Sequence, residues 1–135
     1  MTIAVRYYTR GGNTAKLAAA ISEALDVPAA NLETPLPEKA DILFLGSSYY
    51  AFDVDPAVKT FIADNAKNIG KIVCFGTSAG MGSTVKKVKA VAAEAGVSVD
   101  DRAFHCFGSF GPFHKGRPNT QDCQDAVEFA LIIVE

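Results

Sequence analysis

The sequence predicts an α/β domain built on a doubly wound parallel sheet. Three observations predict it. Short apolar runs alternate with amphipathic segments along the whole chain. Those runs are apolar on both faces, which a strand requires only when helices cover the sheet on both sides. The length of 135 residues is that of one domain (1–135) with one core, and it leaves no room for separate catalytic and binding units.

Taken in order, residues 3–8 (Ile3-Ala4-Val5-Arg6-Tyr7-Tyr8) read as a buried strand. Residues 14–25 read as a helix with Leu17, Ala18, Ile21, Ala24 and Leu25 on one face. Residues 26–39 hold three prolines and only Asn31-Leu32-Glu33 as a short edge strand. Ile42 to Leu45 form an apolar strand that ends at Gly46, and Asp55-Pro56 then supply an N-cap and first helical residue. Val58, Phe61 and Ile62 give that helix its inner face. Residues 72–76 form the next strand. Val85, Val88, Ala92 and Ala95 mark a helix that stops at Gly96. A strand within 99–107 follows, and the last helix opens at residues 118–122 with an acid in its first turn.

Composition excludes several functions. A net charge of −2 offers no basic field for a phosphodiester backbone, so no nucleic-acid partner is expected. No apolar run approaches the roughly 20 residues of a membrane span, and no basic segment leads into a long apolar one at the N-terminus. A cytoplasmic protein without a membrane partner is the expectation. Cys74, Cys106 and Cys123 lack metal-ligand or CxxC spacing and read as reduced thiols, the first two in strand cores.

In a doubly wound sheet the ligand lies outside the carboxyl ends of the strands, so the loops after the strands carry the chemistry. The first is Thr9-Arg10-Gly11-Gly12-Asn13-Thr14. Two glycines let backbone N–H groups converge, a helix N-terminus adds positive potential, and two threonine hydroxyls can donate. It suits one phosphate monoester, or else is a tight turn with Asn13 as N-cap. The second is Gly46-Ser47-Ser48-Tyr49-Tyr50-Ala51-Phe52-Asp53, whose aromatics fall past the glycine, where they can cover a flat ring or plug a contact. The third is Gly76-Thr77-Ser78-Ala79-Gly80-Met81-Gly82, small enough for backbone to approach a ring edge, or simply a flexible turn.

Other readings of the first loop fail. There is no GxxxxGK[ST] and no GxGxxG after the first strand. A phosphatase loop would need a cysteine beside Arg10, and a phospho-acceptor receiver would need an aspartate where Gly46-Ser47-Ser48 stand.

Residues 7–14 resemble the flavodoxin phosphate loop, T/S-x-T-G-N-T, and the loops at 46–50 and 75–80 resemble the two that hold the flavin in that family. The resemblance runs over essentially the whole chain. It implies a flavodoxin-like three-layer sandwich with strand order 2-1-3-4-5, and non-covalent FMN. Thr9, Arg10, Gly11, Gly12, Asn13 and Thr14 would cradle the phosphate. Ser47, Ser48, Tyr49, Tyr50, Ala51, Phe52 and Asp53, with Thr77, Ser78, Ala79, Gly80, Met81 and Gly82, would hold the ring and ribityl chain. The implied role is electron transfer between redox partner proteins, with the flavin passing between oxidised, semiquinone and reduced states, in a monomer or weak dimer. A small FMN-dependent two-electron reductase, or a flavin-free interaction module, is the alternative. Gly11 departs from the family's usual threonine, the third loop lacks an aromatic, and the charge is less acidic than the family's. Phe110, Phe113 or His114, after the last strand, could approach the ring from its free side, or belong to a packed surface loop. His105, within a strand pattern, reads as structural.

Overall fold

Five parallel strands form one sheet in the order β2-β1-β3-β4-β5, the arrangement the resemblance implies. The computed structural model describes residues 1–9, 11–49, 55–78, 84–109 and 114–135. In chain order the elements are β1 (Ile3–Tyr7), α1 (Asn13–Leu25), β2 (Ala29–Asn31), β3 (Ala40–Tyr49), α2 (Pro56–Asn65), a 3-10 turn (Ala66–Asn68), β4 (Ile69–Ser78), α3 (Val85–Glu94), β5 (Ser98–Phe107) and α4 (Thr120–Val134). Among the described residues no helix is long and apolar enough to cross a membrane.

Strand alternation divides the core into two layers. Leu43, Leu45, Ile72 and Cys74 face Val58, Phe61 and Ile62 of α2 and Val88 and Ala92 of α3. Val5, Phe44, Val73 and Phe75 face Leu17, Ala18 and Ile21 of α1 and Ala126, Ala130 and Ile133 of α4. Consecutive residues of one strand therefore serve opposite cores, which is why the strands read as unbroken apolar runs. Each fully buried large side chain contributes about 1.5–3 kcal/mol.

The helix starts follow local chemistry. Asp55 caps α2 by accepting from Ala57 N at 3.0 Å, with Pro56 at the first position. Asn119 and Asp122 form a reciprocal capping box on α4: Asp122 N donates to Asn119 Oδ1 at 2.9 Å, and Asn119 N donates to Asp122 Oδ2 at 2.8 Å.

Three strand boundaries differ from expectation. β2 is Ala29–Asn31, earlier than residues 31–33, because Val5, Arg6 and Tyr7 pair with Ala29, Ala30 and Asn31. The chain beyond is fixed by Arg6, which is 6% exposed. It donates from Nε to the Thr34 carbonyl at 2.9 Å and from Nη2 to the Pro35 carbonyl at 3.3 Å. β3 and β4 do not stop at their glycines. They pair onward through Ser47↔Gly76, Ser48↔Thr77 and Tyr49↔Ser78. The two glycines mark close approach rather than strand ends. A Cβ on Gly46 would lie 2.4 Å from the Phe75 ring, and one on Gly76 would lie 1.9 Å from the Ser47 carbonyl oxygen.

The β4–β5 register slips once. Between the pairs Ile72↔Val99 and Cys74↔Ala103, β5 spends more residues than β4. The extra segment carries Asp100, which accepts from Lys71 Nζ at 3.1 Å and Arg102 Nη2 at 2.9 Å.

Candidate functional site

Every helix runs back against its parallel strands, so the helix N-termini gather at the carboxyl end of the sheet. The turn from β1 into α1 lies there. Gly12 is the N-cap, with φ of 89°, and Asn13 is the first helical residue, so the turn is not capped by Asn13. No side chain caps α1 and its first turn holds no acid. α2 and α4 carry their own capping acids, Asp55 and Asp122, whereas α3, like α1, has no side-chain cap and no acid in its first turn, its Thr84 N being taken by His105 Nε2. The positive end of α1, preceded by two glycines, can receive an outside anion. A Cβ on Gly11 or Gly12 would meet nothing within 4 Å, so the space beside these two glycines is open.

The hydroxyls expected at this turn have internal partners. Thr9 Oγ1 accepts from Gly12 N at 2.9 Å, which shapes the turn and leaves the hydroxyl proton outside that bond. Thr14 is buried, and its Oγ1 lies 3.2 Å from Thr77 Oγ1, joining the turn to the end of β4. Asn13 reaches sideways: Nδ2 donates to the Ser109 carbonyl at 2.9 Å, and Ser109 Oγ donates to Asn13 Oδ1 at 3.2 Å. Gly108 makes this approach possible, since a Cβ there would sit 2.8 Å from Asn13 Nδ2 and 3.0 Å from Thr77 Cβ.

The ends of β3 and β4 form the floor beside the turn. Ser47 is 1% exposed, and its Oγ has no hydrogen-bond partner among the described residues. An unpaired buried hydroxyl is costly, by about 1–3 kcal/mol. Thr77 and Ser78 are buried strand residues rather than loop. Ser48 and Tyr49 continue β3 opposite them. The expectations for Arg10, Tyr50, Ala51, Phe52, Asp53, Ala79, Gly80, Met81 and Gly82, and for Phe110 and Phe113, fall outside the described residues.

His105 was expected to be structural, His114 was expected either to approach a bound ring or to belong to a packed surface loop, and one cleft was not foreseen. His105 Nε2 accepts from Thr84 N at 3.2 Å and lies 2.9 Å from Thr84 Oγ1, pinning the start of α3 to β5. Burial lowers its pKa to about 4, so it is neutral and structural at pH 7. His114, with φ of 51°, stacks on half-exposed Phe107 with ring centroids 4.0 Å apart and planes 2° apart. A cleft of about 710 Å³ opens on the other side of Tyr8 and Thr9, bounded by Leu32, Glu33, Phe61 and Asp64. Burial pushes the Cys74 and Cys106 thiols up to about 12, and Cys123 is raised too, so no thiol is primed as a nucleophile. Among the described residues no group of three or more His, Cys, Asp or Glu could hold a metal ion.

No protein-family model matches this chain, and no curated protein matches it in sequence. Solved structures do match it in three dimensions over nearly its whole length. A flavodoxin from the domain Archaea aligns with TM-score 0.79 at 19% identity, covering 98% of this chain and 96% of that one. Two-electron reduced Megasphaera elsdenii flavodoxin aligns with TM-score 0.67 at 20% identity, over 96% and 98%. A flavodoxin, WrbA-like protein from Agrobacterium tumefaciens aligns with TM-score 0.69 at 16% identity, over 97% and 96%. The fold of this chain is flavodoxin-like.

Proposed function

We propose that this chain binds FMN non-covalently and passes electrons between redox partner proteins. The observation that carries the proposal is the open, acid-free N-terminus of α1 at the carboxyl end of β1, with glycines at its mouth. A phosphate monoester there meets converging N–H groups and the positive end of the helix. The orphaned Ser47 hydroxyl beside it gives a second polar group awaiting a partner. Both features fit FMN, and the chain-long likeness to flavodoxins supports the same reading.

In this reading Thr9, Arg10, Gly11, Gly12, Asn13 and Thr14 hold the phosphate. Gly11 and Gly12 do so by admitting it to the backbone, and Thr9 by the proton its hydroxyl keeps. Residues 47–53 and 77–82 flank the ring and ribityl chain, with Tyr49 and Tyr50 as its cover. Bound flavin supplies the redox chemistry, taking up and releasing electrons with protonation at its ring nitrogen. The protein's part is to fix the ring, exclude water and set hydrogen bonds to its rim.

The test is direct. The purified protein should be yellow, and cofactor released by heat should run as FMN on chromatography. Recovery of FAD, or no affinity for FMN added in excess, would overturn the proposal. The cleft beside Tyr8 and Thr9 favours a second reading, a two-electron reductase with an organic substrate, since its volume is that of a small-molecule site. Quinone reduction driven by a nicotinamide donor, with no partner protein present, would select it.

A further inference from the structure

We infer that Ser109 is a positioning residue for the phosphate end of this site, acting through Asn13, and that it couples that end to the chain between β5 and α4. The inference rests on the FMN reading above. Asn13 occupies the first helical position of α1, where its own backbone lies at the uncapped helix end. A side chain there is free to swing outward, cap locally or face the anion. Here the amide is held sideways, which leaves the Asn13 backbone N–H for the anion. Both polar atoms of its amide are taken by a single residue 96 positions away: Nδ2 by the Ser109 carbonyl and Oδ1 by the Ser109 hydroxyl. A two-point pairing fixes the plane of the amide, which one bond would leave free to rotate.

The far end of this tie is itself anchored. Gly108 N donates to the Ser78 carbonyl at 3.0 Å, and Ser109 N donates to the Arg117 carbonyl at 2.8 Å. Arg117 N donates to the His114 carbonyl at 3.1 Å, and its guanidinium forks onto Asp122 at 2.5 and 2.7 Å. Asp122 belongs to the capping box that starts α4. The phosphate turn is thus joined through Asn13, Ser109, Arg117 and Asp122 to the helix that packs against α1. Gly108 is the fitting that lets the parts meet, because any side chain would drive Asn13 away. An anion bound at the α1 terminus is held by a turn that this chain of bonds keeps in shape. Its occupancy in turn stiffens the bonds back to Arg117.

The experiment compares FMN with riboflavin, which lacks the phosphate. Flavin-fluorescence titrations of the stripped protein give the ratio of the two dissociation constants for wild type, Ser109→Ala, Ser109→Thr, Asn13→Ala and the double variant. Ser109→Ala should lower the preference for FMN about three- to tenfold, the effect of one modest hydrogen bond. Ser109→Thr, which keeps the hydroxyl, should restore it, and Ser109→Ala should add nothing once Asn13 is alanine. Hydrogen exchange at the Arg117 amide should slow with FMN but not with riboflavin, and Asn13→Ala should abolish that difference. A merely structural role would lower the melting temperature and leave the ratio unchanged. An unchanged ratio in Ser109→Ala beside a collapsed one in Asn13→Ala would overturn the inference, because Asn13 would then act on the phosphate by itself. A wild type that binds neither flavin, or binds both equally, would instead overturn the FMN reading, and the inference with it.

Discussion

Acid should loosen this protein first at His105. Its Nε2 accepts the Thr84 amide proton, so protonation would set two donors against each other in a mostly buried place. Burial holds its pKa at about 4, against 6.5 for an open histidine. Above pH 6.5 the ring is neutral whether the chain is folded or not, and its contribution is whole. Between 6.5 and about 4 the unfolded chain binds a proton that the folded one refuses, so stability falls as pH falls. Below about 4 both forms are protonated and nothing more is lost. At about 1.4 kcal/mol for each tenfold change in proton affinity, the window spans roughly 3 kcal/mol. The paired carboxylates enter later: Arg102 beside Asp100 and Arg117 beside Asp122 hold both below the usual carboxylate value. Urea unfolding followed by circular dichroism from pH 7.5 to 4.5 should show the wild type losing stability most steeply below pH 6. A His105→Gln variant, which cannot take up the proton, should lack that slope. Parallel curves for the two proteins would refute the reasoning.

Other substitutions test the packing. Gly76→Ala would place a methyl 1.9 Å from the Ser47 carbonyl oxygen in the central strand pair, and chemical unfolding should register a loss of about 3 kcal/mol or more. Asp122→Asn should cost about 1 kcal/mol from the α4 capping box, seen as a lower urea midpoint. It should also speed exchange of the Arg117 amide, because the guanidinium fork is lost. Arg6→Lys should destabilise despite keeping the charge, since an ammonium cannot span the Val5, Thr34 and Pro35 carbonyls as the planar fork does. Equal midpoints for Arg6→Lys and wild type would show that the fork is dispensable.

The sequence disclosed what local chemistry decides. Asp55-Pro56 and Asn119 with Asp122 declare helix starts because the capping partners lie within three residues of one another. Parallel pairing was legible because Ile42 to Leu45 and Ile72 to Phe75 are apolar on both faces. What stayed hidden depends on contacts between distant residues. Gly46 and Gly76 look like chain breaks until Phe75 and the Ser47 carbonyl are seen to occupy the space a side chain would take. The place of β2 is set by its pairing with β1 and by Arg6 holding carbonyls 28 and 29 residues away. At the candidate site the turn and its glycines were readable, but the engagement of Asn13 with Ser109 and of Thr14 with Thr77 was not. The only cue was a glycine directly after the last strand.

The slipped register in β5 bears on whether copies of this chain can join backbone to backbone. An outermost strand is a template on which a second molecule could add its own, and long regular ones invite fibrous growth. On one flank β2 offers only three residues, and the chain beyond is turned away by Arg6. On the other flank β5 is ten residues long, but the slip interrupts it just where Asp100, Asp101 and Arg102 stand. An incoming strand would meet a kinked ladder and would have to strip water from Asp101 and Arg102, both exposed. Both flanks therefore resist the growth of the sheet, and concentrated solutions gain protection from aggregation through a break in regularity rather than through net charge.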